Sequence, residues 1–258
     1  MTLPVRGVQF SDAELVRRLQ VYEREAHDLG ALCICIASWG GPQDASILQK
    51  ILARLTDNMG PQAGLRGWLS LRWHPILVLT YSAGISALAS KRLDNLLALL
   101  GASAQSPETA GKRTSLLEAV GEAILEFHRL EIFKRLPEHA RQYVPRSEYM
   151  HKLLQPGLEE LLGLGAEYEG LFDRLEVLLA LGYADARAAV GDDMWGPIGR
   201  YGWKAHHPKG YSDPMSAVVA QEKNSGALIR AGFFGGDVGR FDAAAEWLRG
   251  TVSSLEWF

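Results

Sequence analysis

The stretch YSAGISALASKRLDNLLALL, residues 81–100, decides the fold of this chain. Its first half consists almost entirely of small and apolar residues, and side chains of that size let a neighbouring helix approach closely. Ser90 to Leu93 carry the signal for a turn. Beyond it, Leu96, Leu97 and Leu100 would fold a second helix back onto the first. The stretch therefore predicts an antiparallel helical hairpin.

The same pattern returns near the end of the sequence. Residues 80–100 align without gaps with residues 228–248, and five positions are identical. The matched pairs are Ala83 with Ala231, Gly84 with Gly232, Arg92 with Arg240, Asp94 with Asp242 and Leu100 with Leu248. Both stretches resemble hairpins of the tetratricopeptide (TPR) type, which place a glycine inside the first helix. Because tandem copies at the repeat length of that family are missing, the resemblance implies an irregular, TPR-like array.

The remaining pattern is also helical. Ser11 and Glu14 form a capping-box signal for a helix that runs to about Trp39. Apolar residues at helical spacing predict further helices over about 147–163 and 167–181. No sustained alternation of apolar and polar residues favours a large sheet. The predicted fold class is all-α, an irregular helical array of antiparallel hairpins.

The domain organisation has two possible forms. The chain has 258 residues, of which 47% are hydrophobic, and can bury one sizeable core. We therefore predict a single helical domain over residues 1–258. The alternative is two subdomains, 1–101 and 114–258, joined by the polar, small-residue stretch ASAQSPETAGKR at 102–113, which is typical of a mobile loop.

Charge and cysteine content limit the kinds of partner. A formal net charge of −3 argues against a chain that coats nucleic acid, because such proteins need clustered Lys and Arg. Nucleic acid is therefore expected only through a partner or a local basic patch. The longest apolar run is too short to span a bilayer, so no membrane partner is expected. Cys33 and Cys35 point in different directions on a helix, which indicates free thiols and a cytoplasmic protein.

The segment 192–215, DDMWGPIGRYGWKAHHPKGYSDPM, differs most from its helical surroundings. It is rich in aromatic residues, Gly and Pro, and its pattern is too irregular for a helix. One interpretation is a recognition loop that offers flat aromatic area and positive charge to a protein partner or ligand. The candidate binding residues are Trp195, Arg200, Tyr201, Trp203, Lys204, His206 and His207. The alternative is that the aromatic residues only cover the helical core.

Motifs for catalysis, metal binding and cofactor binding are missing from the sequence. His206 and His207 are adjacent, whereas helical zinc sites need ligands on one face, as in HExxH. Cys33 lies in an apolar run without a basic neighbour to activate it. The glycine-rich AGFFGGDVGR at 231–240 lacks the Lys-Ser/Thr of a P-loop. We therefore predict no catalytic residue, no metal ligand and no cofactor, and enzymatic activity stays open but less favoured than binding.

A second resemblance concerns nearly the whole chain. It is carried by the Trp-Gly turn at Trp39 and the helix WHPILVLTYSAGISALA at 73–89. It is also carried by RYGWK at 200–204 and AGFFGG at 231–236. Together these segments resemble the helical C-terminal region of bacterial proteins with a Schlafen-like AlbA domain. The resemblance implies a role in bacterial stress or phage defence.

Two functional hypotheses follow. The first is a non-enzymatic interaction or sensor module that binds a protein partner, with residues 192–215 as part of its contact surface. The second is an all-helical enzyme or small-ligand binder whose pocket is closed by the same loop. In that case His206 or His207 would act as acid and base with Asp192 or Asp193, and these side chains would have to meet in one pocket. We favour the first hypothesis.

Overall fold

The computed structural model describes residue 3 and residues 7–57, 59–60, 62–109, 111–192, 196–207 and 212–255. Over these residues the protein is helical apart from one two-stranded sheet, which confirms the all-α class. The chain divides into two compact units, Met1–Leu164 and Gly165–Phe258. The TPR-like arrangement of the hairpins stays a prediction.

The first unit contains seven α-helices, a short 3₁₀ helix (Ile132–Arg135) and two short strands among the residues described. In chain order the α-helices and strands are α1 (Asp12–Trp39), α2 (Pro42–Thr56), α3 (Arg66–Leu71), α4 (His74–Ala89), α5 (Leu93–Leu100), β1 (Ser103–Gln105), β2 (Arg113–Ser115), α6 (Leu116–Arg129) and α7 (Pro145–Leu162). The predicted start and end of α1 are both confirmed, and the hydroxyl of Ser11 accepts the first cap hydrogen bond from the N–H of Glu14.

Helix α4 is the centre of the first unit's core. Its side chains are buried on nearly every face from His74 to Leu88. A helix that is apolar all round is stable only when neighbouring elements cover it, and α1, α5 and α7 pack against it. The hydroxyls of Thr80 and Ser86 donate to carbonyl oxygens one turn earlier in the helix, at 2.7 and 2.6 Å. The small residues of α4 thus allow close packing without leaving these two hydroxyls unpaired.

The turn between α4 and α5 lies where the small-residue stretch predicts it. Lys91 adopts the left-handed conformation with a φ of 56°. Its N–H donates to the carbonyl of Leu88 at 3.1 Å, and the N–H of Arg92 donates to the carbonyl of Ala87 at 2.7 Å. These two bonds are the Schellman pattern that ends a helix.

The side chain of Asn95 in α5 stabilises the end of α1. Its amide nitrogen donates to the carbonyls of Ala37 and Gly40 at 3.0 and 3.1 Å. The last carbonyls of a helix have no partner within the helix, and Asn95 is only 1% exposed, so water does not replace it. This contact joins the first helix of the unit to the predicted hairpin.

The stretch 102–113, which the sequence predicts as a mobile loop, contains strand β1 and the first residue of strand β2. Strands β1 and β2 pair antiparallel within it and just beyond it. Ala104 is fully buried, and the Arg113 side chain donates to the carbonyl of Ser103 at 2.8 Å. Strands of three residues are too short to show an alternating pattern, so the sequence hides them. The segment lies inside the first unit, and the boundary between the two units follows Leu164.

The second unit contains five α-helices and a short 3₁₀ helix (Phe233–Gly236) among its described residues. The α-helices are α8 (Glu167–Ala189), α9 (Arg200–His206), α10 (Pro214–Ser225), α11 (Ala227–Ala231) and α12 (Val238–Ser254). Helix α8 packs against α9, α10 and α12 and is the element that the others share. It extends eight residues beyond the predicted end at Leu181.

Helix α9 corrects the prediction that residues 192–215 are too irregular for a helix. Glycine and proline disfavour helix in a sequence pattern, but most of them flank α9 rather than interrupt it. The helix is fixed by its contacts: Tyr201 is fully buried, and its hydroxyl donates to the carbonyl of Pro197 at 2.9 Å. Tertiary packing therefore overrides the weak local propensity.

The internal similarity does not extend to side-chain contacts. In the first stretch, Arg92 pairs with its neighbour Asp94 at 2.9 Å in a local bridge. In the second stretch, Arg240 pairs with Asp185 of α8 at 2.7 Å. The helix after the second turn already begins at Val238, two residues before the arginine. The matched arginines thus have different structural roles.

None of the described helices combines the length and the apolar composition that crossing a bilayer requires.

Replacing Asn95 with alanine should lower the free energy of unfolding by about 2 kcal/mol. The reason is that buried carbonyl groups at the end of α1 lose their donor. Urea denaturation followed by circular dichroism measures the change. Asp94→Ala is the control: this exposed neighbour is part of a surface bridge, and its loss should cost less than about 1 kcal/mol. Equal losses in the two variants would contradict the capping role of Asn95.

Candidate functional site

A cleft with a volume of about 470 Å³ lies in the second unit. Helix α8 forms one wall, with Glu169, Gly170, Asp173 and Arg174. Helix α10 forms another, and Lys204 from α9 lines the cleft between them. Ligand sites of small molecules have volumes in this range.

The charged residues of the cleft follow helical spacing on two helices. Glu169 and Asp173 are four residues apart on α8, and Arg200 and Lys204 are four residues apart on α9, so each pair lies on one helix face. The Nζ of Lys204 donates to Oδ2 of Asp173 at 2.5 Å and to Oε1 of Glu169 at 2.6 Å. Arg200 donates from Nη2 to the same Glu169 oxygen at 3.0 Å. The four residues form one ionic cluster.

Burial differs sharply within this ionic cluster. The side chains of Lys204 and Asp173 are each 3% exposed, whereas that of Glu169 is 50% exposed. Arg200 is also nearly buried. Removing charges from water is costly unless they are paired and hydrogen-bonded. Lys204 and Asp173 thus depend on each other, and Glu169 is the member that faces solvent.

Two glycines let the chain before α9 approach α8. A Cβ atom at Gly199 would lie 1.9 Å from Oε2 of Glu176, and one at Gly196 would lie 2.5 Å from the carbonyl oxygen of Ala180. The same Glu176 oxygen accepts from the backbone N–H of Arg200 at 3.0 Å. The close approach therefore sets the position of α9 and of the cations that it carries.

Burial shifts the acid–base properties of the cleft. It raises the pKa of Asp173 to about 6, against the opposing effect of the Lys204 ammonium group. It also lowers the pKa of Arg174, which remains a cation. The carboxylate of Asp173 is therefore ionised at neutral pH but close to the range in which it takes up a proton.

Two polar atoms of the cleft residues lack a hydrogen-bond partner within the described part of the chain. They are Oδ1 of Asp173 and Nε of Arg174, and both atoms are buried. Buried polar atoms are nearly always paired, so an unpaired one requires an explanation. One atom is an acceptor and the other a donor, and their residues line the same cleft.

The predicted site residues have different positions in the structure. Arg200 and Lys204 belong to the ionic cluster, and Lys204 lines the cleft. Tyr201 lies in the core, as described above, and offers no exposed recognition surface. Trp203 is partly buried, with its ring edge-on to that of His207 at 6.0 Å between centroids. Trp195 lies outside the described residues.

The predicted pairing of His206 or His207 with an aspartate is not found among the described residues that line the cleft. Nε2 of His206 lies 2.7 Å from the carbonyl of Val252, and Nδ1 of His207 lies 2.9 Å from the carbonyl of Trp203. Neither is among the described residues that line the cleft, and neither is Asp192, which pairs with an arginine at 3.6 Å. Asp193 lies outside the described residues. The cleft therefore does not bring His206, His207 and Asp192 together.

The sequence analysis missed the residues of α8 that complete the site. Glu169, Asp173 and Arg174 lie in a region that the pattern predicts only as a helix. A signal was available, because two acids four residues apart on one helix match two cations four residues apart at Arg200 and Lys204. Such a match becomes informative only once both segments are known to be helices that pack together.

A second cleft, of about 350 Å³, lies in the first unit. Glu122 of α6 lines it, and burial together with the carboxylates of Glu108 and Glu118 raises the pKa of Glu122 to about 7. The hydroxyl of Ser106 lies 3.4 Å from one Glu122 oxygen. Nothing in the linear pattern of α6 distinguishes Glu122 from other acids, so the sequence analysis missed it.

The first unit also contains a carboxylate–histidine–tyrosine group. The hydroxyl of Tyr149 donates to Oε1 of Glu23 at 2.5 Å, and Nε2 of the fully buried His74 lies 2.9 Å from the same oxygen. Burial and the charge of Glu23 raise the pKa of Tyr149, which stays a protonated donor. Because the three residues belong to α7, α1 and α4, we interpret the group as a structural connection.

Replacing Gly199 with alanine should destabilise the protein by about 1–3 kcal/mol, because the new methyl group overlaps Glu176. Gly170→Ala is the matched control. A Cβ atom at Gly170 meets open space within α8, and the higher helix propensity of alanine should raise stability by about 0.5–1 kcal/mol. Chemical denaturation measures both. Similar stabilities of the two variants would refute the close approach at Gly199.

No group of three or more His, Cys, Asp or Glu side chains that could hold a metal ion occurs in the part of the chain that the structure describes. Comparison with known protein families, with curated proteins and with solved structures finds no match to this chain. The geometry of the cleft in the second unit is therefore the basis for its functional interpretation.

Proposed function

We propose that the second unit binds a small polar molecule in the cleft between α8 and α10. The observation that carries the proposal is the buried Lys204–Asp173 pair, whose aspartate retains an unpaired acceptor beside the cleft within the described residues. A ligand that donates a hydrogen bond there would satisfy this acceptor. This is the ligand-binding form of the second hypothesis, with a different set of residues.

The energetics of buried charge support binding at this place. Replacing a buried ion pair by apolar residues of similar volume is often neutral or stabilising, so such a pair is weak evidence for a purely structural role. A charged group that lines a cleft can instead select a ligand by hydrogen bonds. Glu169, the exposed member of the ionic cluster, lies where an incoming polar molecule would meet the cluster first.

The proposed function is ligand binding without catalysis. The Nζ of Lys204 is held between the carboxylates of Glu169 and Asp173, at 2.6 and 2.5 Å. A lysine that acts as a nucleophile needs a free lone pair directed at the substrate. The cluster is thus suited to ionic recognition.

Gly170→Phe provides a direct test. The glycine lines the cleft and a Cβ atom there meets open space, so a phenyl group should fill the cleft without disturbing the helix. The wild-type protein and this variant are screened by thermal shift against a library of small polar metabolites. Each compound that raises the melting temperature of the wild type is then followed by calorimetry. We expect Gly170→Phe to lose at least about 90% of the binding that wild type shows.

Gly250→Phe is the matched control. Gly250 is also an exposed helical glycine with open space at its Cβ position, but it lies on α12 and does not line the cleft. Both variants should keep the wild-type melting temperature or exceed it, because phenylalanine has the higher helix propensity. A ligand that binds Gly170→Phe and wild type equally, or a library without any ligand, would refute the proposal.

We propose partner binding by the first unit as a second candidate function. It is favoured by two exposed apolar side chains, Leu32 and Trp39, which lie seven residues apart on one face of α1. Trp39 is 63% exposed, and tryptophan is enriched among residues that dominate protein interfaces. The resemblance to Schlafen/AlbA-like proteins supports a partner in a bacterial phage-defence system.

The double substitution Leu32→Ser/Trp39→Ser tests partner binding. We expect a separately encoded protein to be recovered with the tagged wild-type chain at a constant ratio and to re-form the complex from purified components. The double variant should reduce this association at least about tenfold, because truncation of interface anchors removes most of the affinity. Val238→Ser, an exposed apolar residue of the second unit, is the control. Equal association of all three proteins would contradict the role of α1.

A further inference from the structure

The unpaired atoms of the cleft residues in the second unit indicate which hydrogen-bonding groups a ligand needs. Oδ1 of Asp173 needs a donor, and Nε of Arg174 needs an acceptor. Both residues line the same cleft, and because the two atoms are buried, a ligand contacts them only when the side chains turn toward it. An unpaired buried polar atom costs free energy that a partner of the right kind recovers. A ligand with one donor and one acceptor therefore gains more than a ligand with either alone.

The charges of the cleft lining limit the class of ligand further. Its lining contains two carboxylates, Glu169 and Asp173, and two cations, Arg174 and Lys204, so these four formal charges cancel. A molecule with a net charge would enter without a counter-charge, and desolvation would oppose it. A molecule that carries both signs brings an ammonium group to the carboxylates and a carboxylate to the cations.

Helix α10 contributes three apolar residues and one polar residue, Gln221, to the cleft lining. Pro214, Ala217 and Val218 of α10 line the cleft at spacings of three and four residues, which place them on one helix face. Side chains of this size leave room for an aliphatic group. Burial of such a group against them would add to the affinity roughly in proportion to the apolar area removed from water.

We infer that the cleft binds a free amino acid with an aliphatic side chain, held by Asp173 at its ammonium group and by Arg174 at its carboxylate. The aliphatic side chain lies against α10. This inference rests on the proposed ligand-binding function of the cleft and names the class of ligand.

Isothermal titration of the 258-residue chain tests the inference with matched probes. Alanine, valine and leucine represent the class. 3-Methylbutylamine is leucine without the carboxylate, and 4-methylpentanoate is leucine without the ammonium group. We expect at least one of the three amino acids to bind, and each truncated analogue to bind at least about tenfold more weakly than leucine, since each leaves one buried group unpaired.

Arg174→Gln separates the two contacts. The variant should weaken the binding of leucine at least about tenfold but should not weaken that of 3-methylbutylamine, because the amine makes no contact that depends on Arg174. Circular dichroism and the melting temperature show whether the variant is folded. Gly250→Phe, which lies outside the cleft, should bind leucine like wild type.

The outcomes distinguish the inference from the proposed function. If 3-methylbutylamine binds as tightly as leucine, or if Arg174→Gln leaves leucine unaffected, the zwitterion class is wrong while binding in the cleft stands. If no amino acid binds but another metabolite is lost from Gly170→Phe, the inference also fails and the function survives. If no compound of either kind binds, both fail.

Discussion

The packing of the helices in the second unit depends on the burial of one ammonium group, that of Lys204. Lys204 enters the interior only because Asp173 and Glu169 receive it, and their helix, α8, is also the one against which α9, α10 and α12 pack. Loss of Lys204 would leave the buried Asp173 carboxylate without its cation, which costs more than the pair contributes. The ionic cluster is therefore a constraint on the packing of α9 against α8, and three of its members line the cleft.

This arrangement requires a short distance between backbones. At Gly199 and Gly196 the chain approaches α8 so closely that any side chain would overlap atoms of Glu176 or Ala180. Substitution there would move α9, and Lys204 with it. Close packing has the same cause in the first unit, where the small residues of α4 let neighbouring helices cover it on nearly every face. In both units, small residues allow the backbones to pack closely, and this close packing positions the polar side chains nearby.

The sequence predicts well where periodicity and turn chemistry agree. Helix α1 and the turn before α5 are found as predicted, because Ser11 caps one and Lys91 terminates the other by local bonds. Helix α9 and the strands at 103–105 and 113–115 are not predicted, since tertiary contacts fix them against a weak local pattern. In the candidate site, the sequence indicates the cations of α9 through their composition. Their acidic partners on α8 look like ordinary surface charges until the two helices are known to pack.

The correction at α9 also changes the kind of recognition that the second unit offers. A loop of exposed aromatic residues adapts to a partner and loses conformational entropy when it binds. A helix with buried cations instead presents fixed donors, and functional groups on rigid elements are held more precisely than groups on loops. Tyr201 contributes to that rigidity from the core. A fixed ionic site is matched best by a small ligand of defined charge geometry, whereas an exposed residue such as Trp39 is suited to a broad protein surface. The two proposed functions therefore occupy different units and do not compete for the same residues.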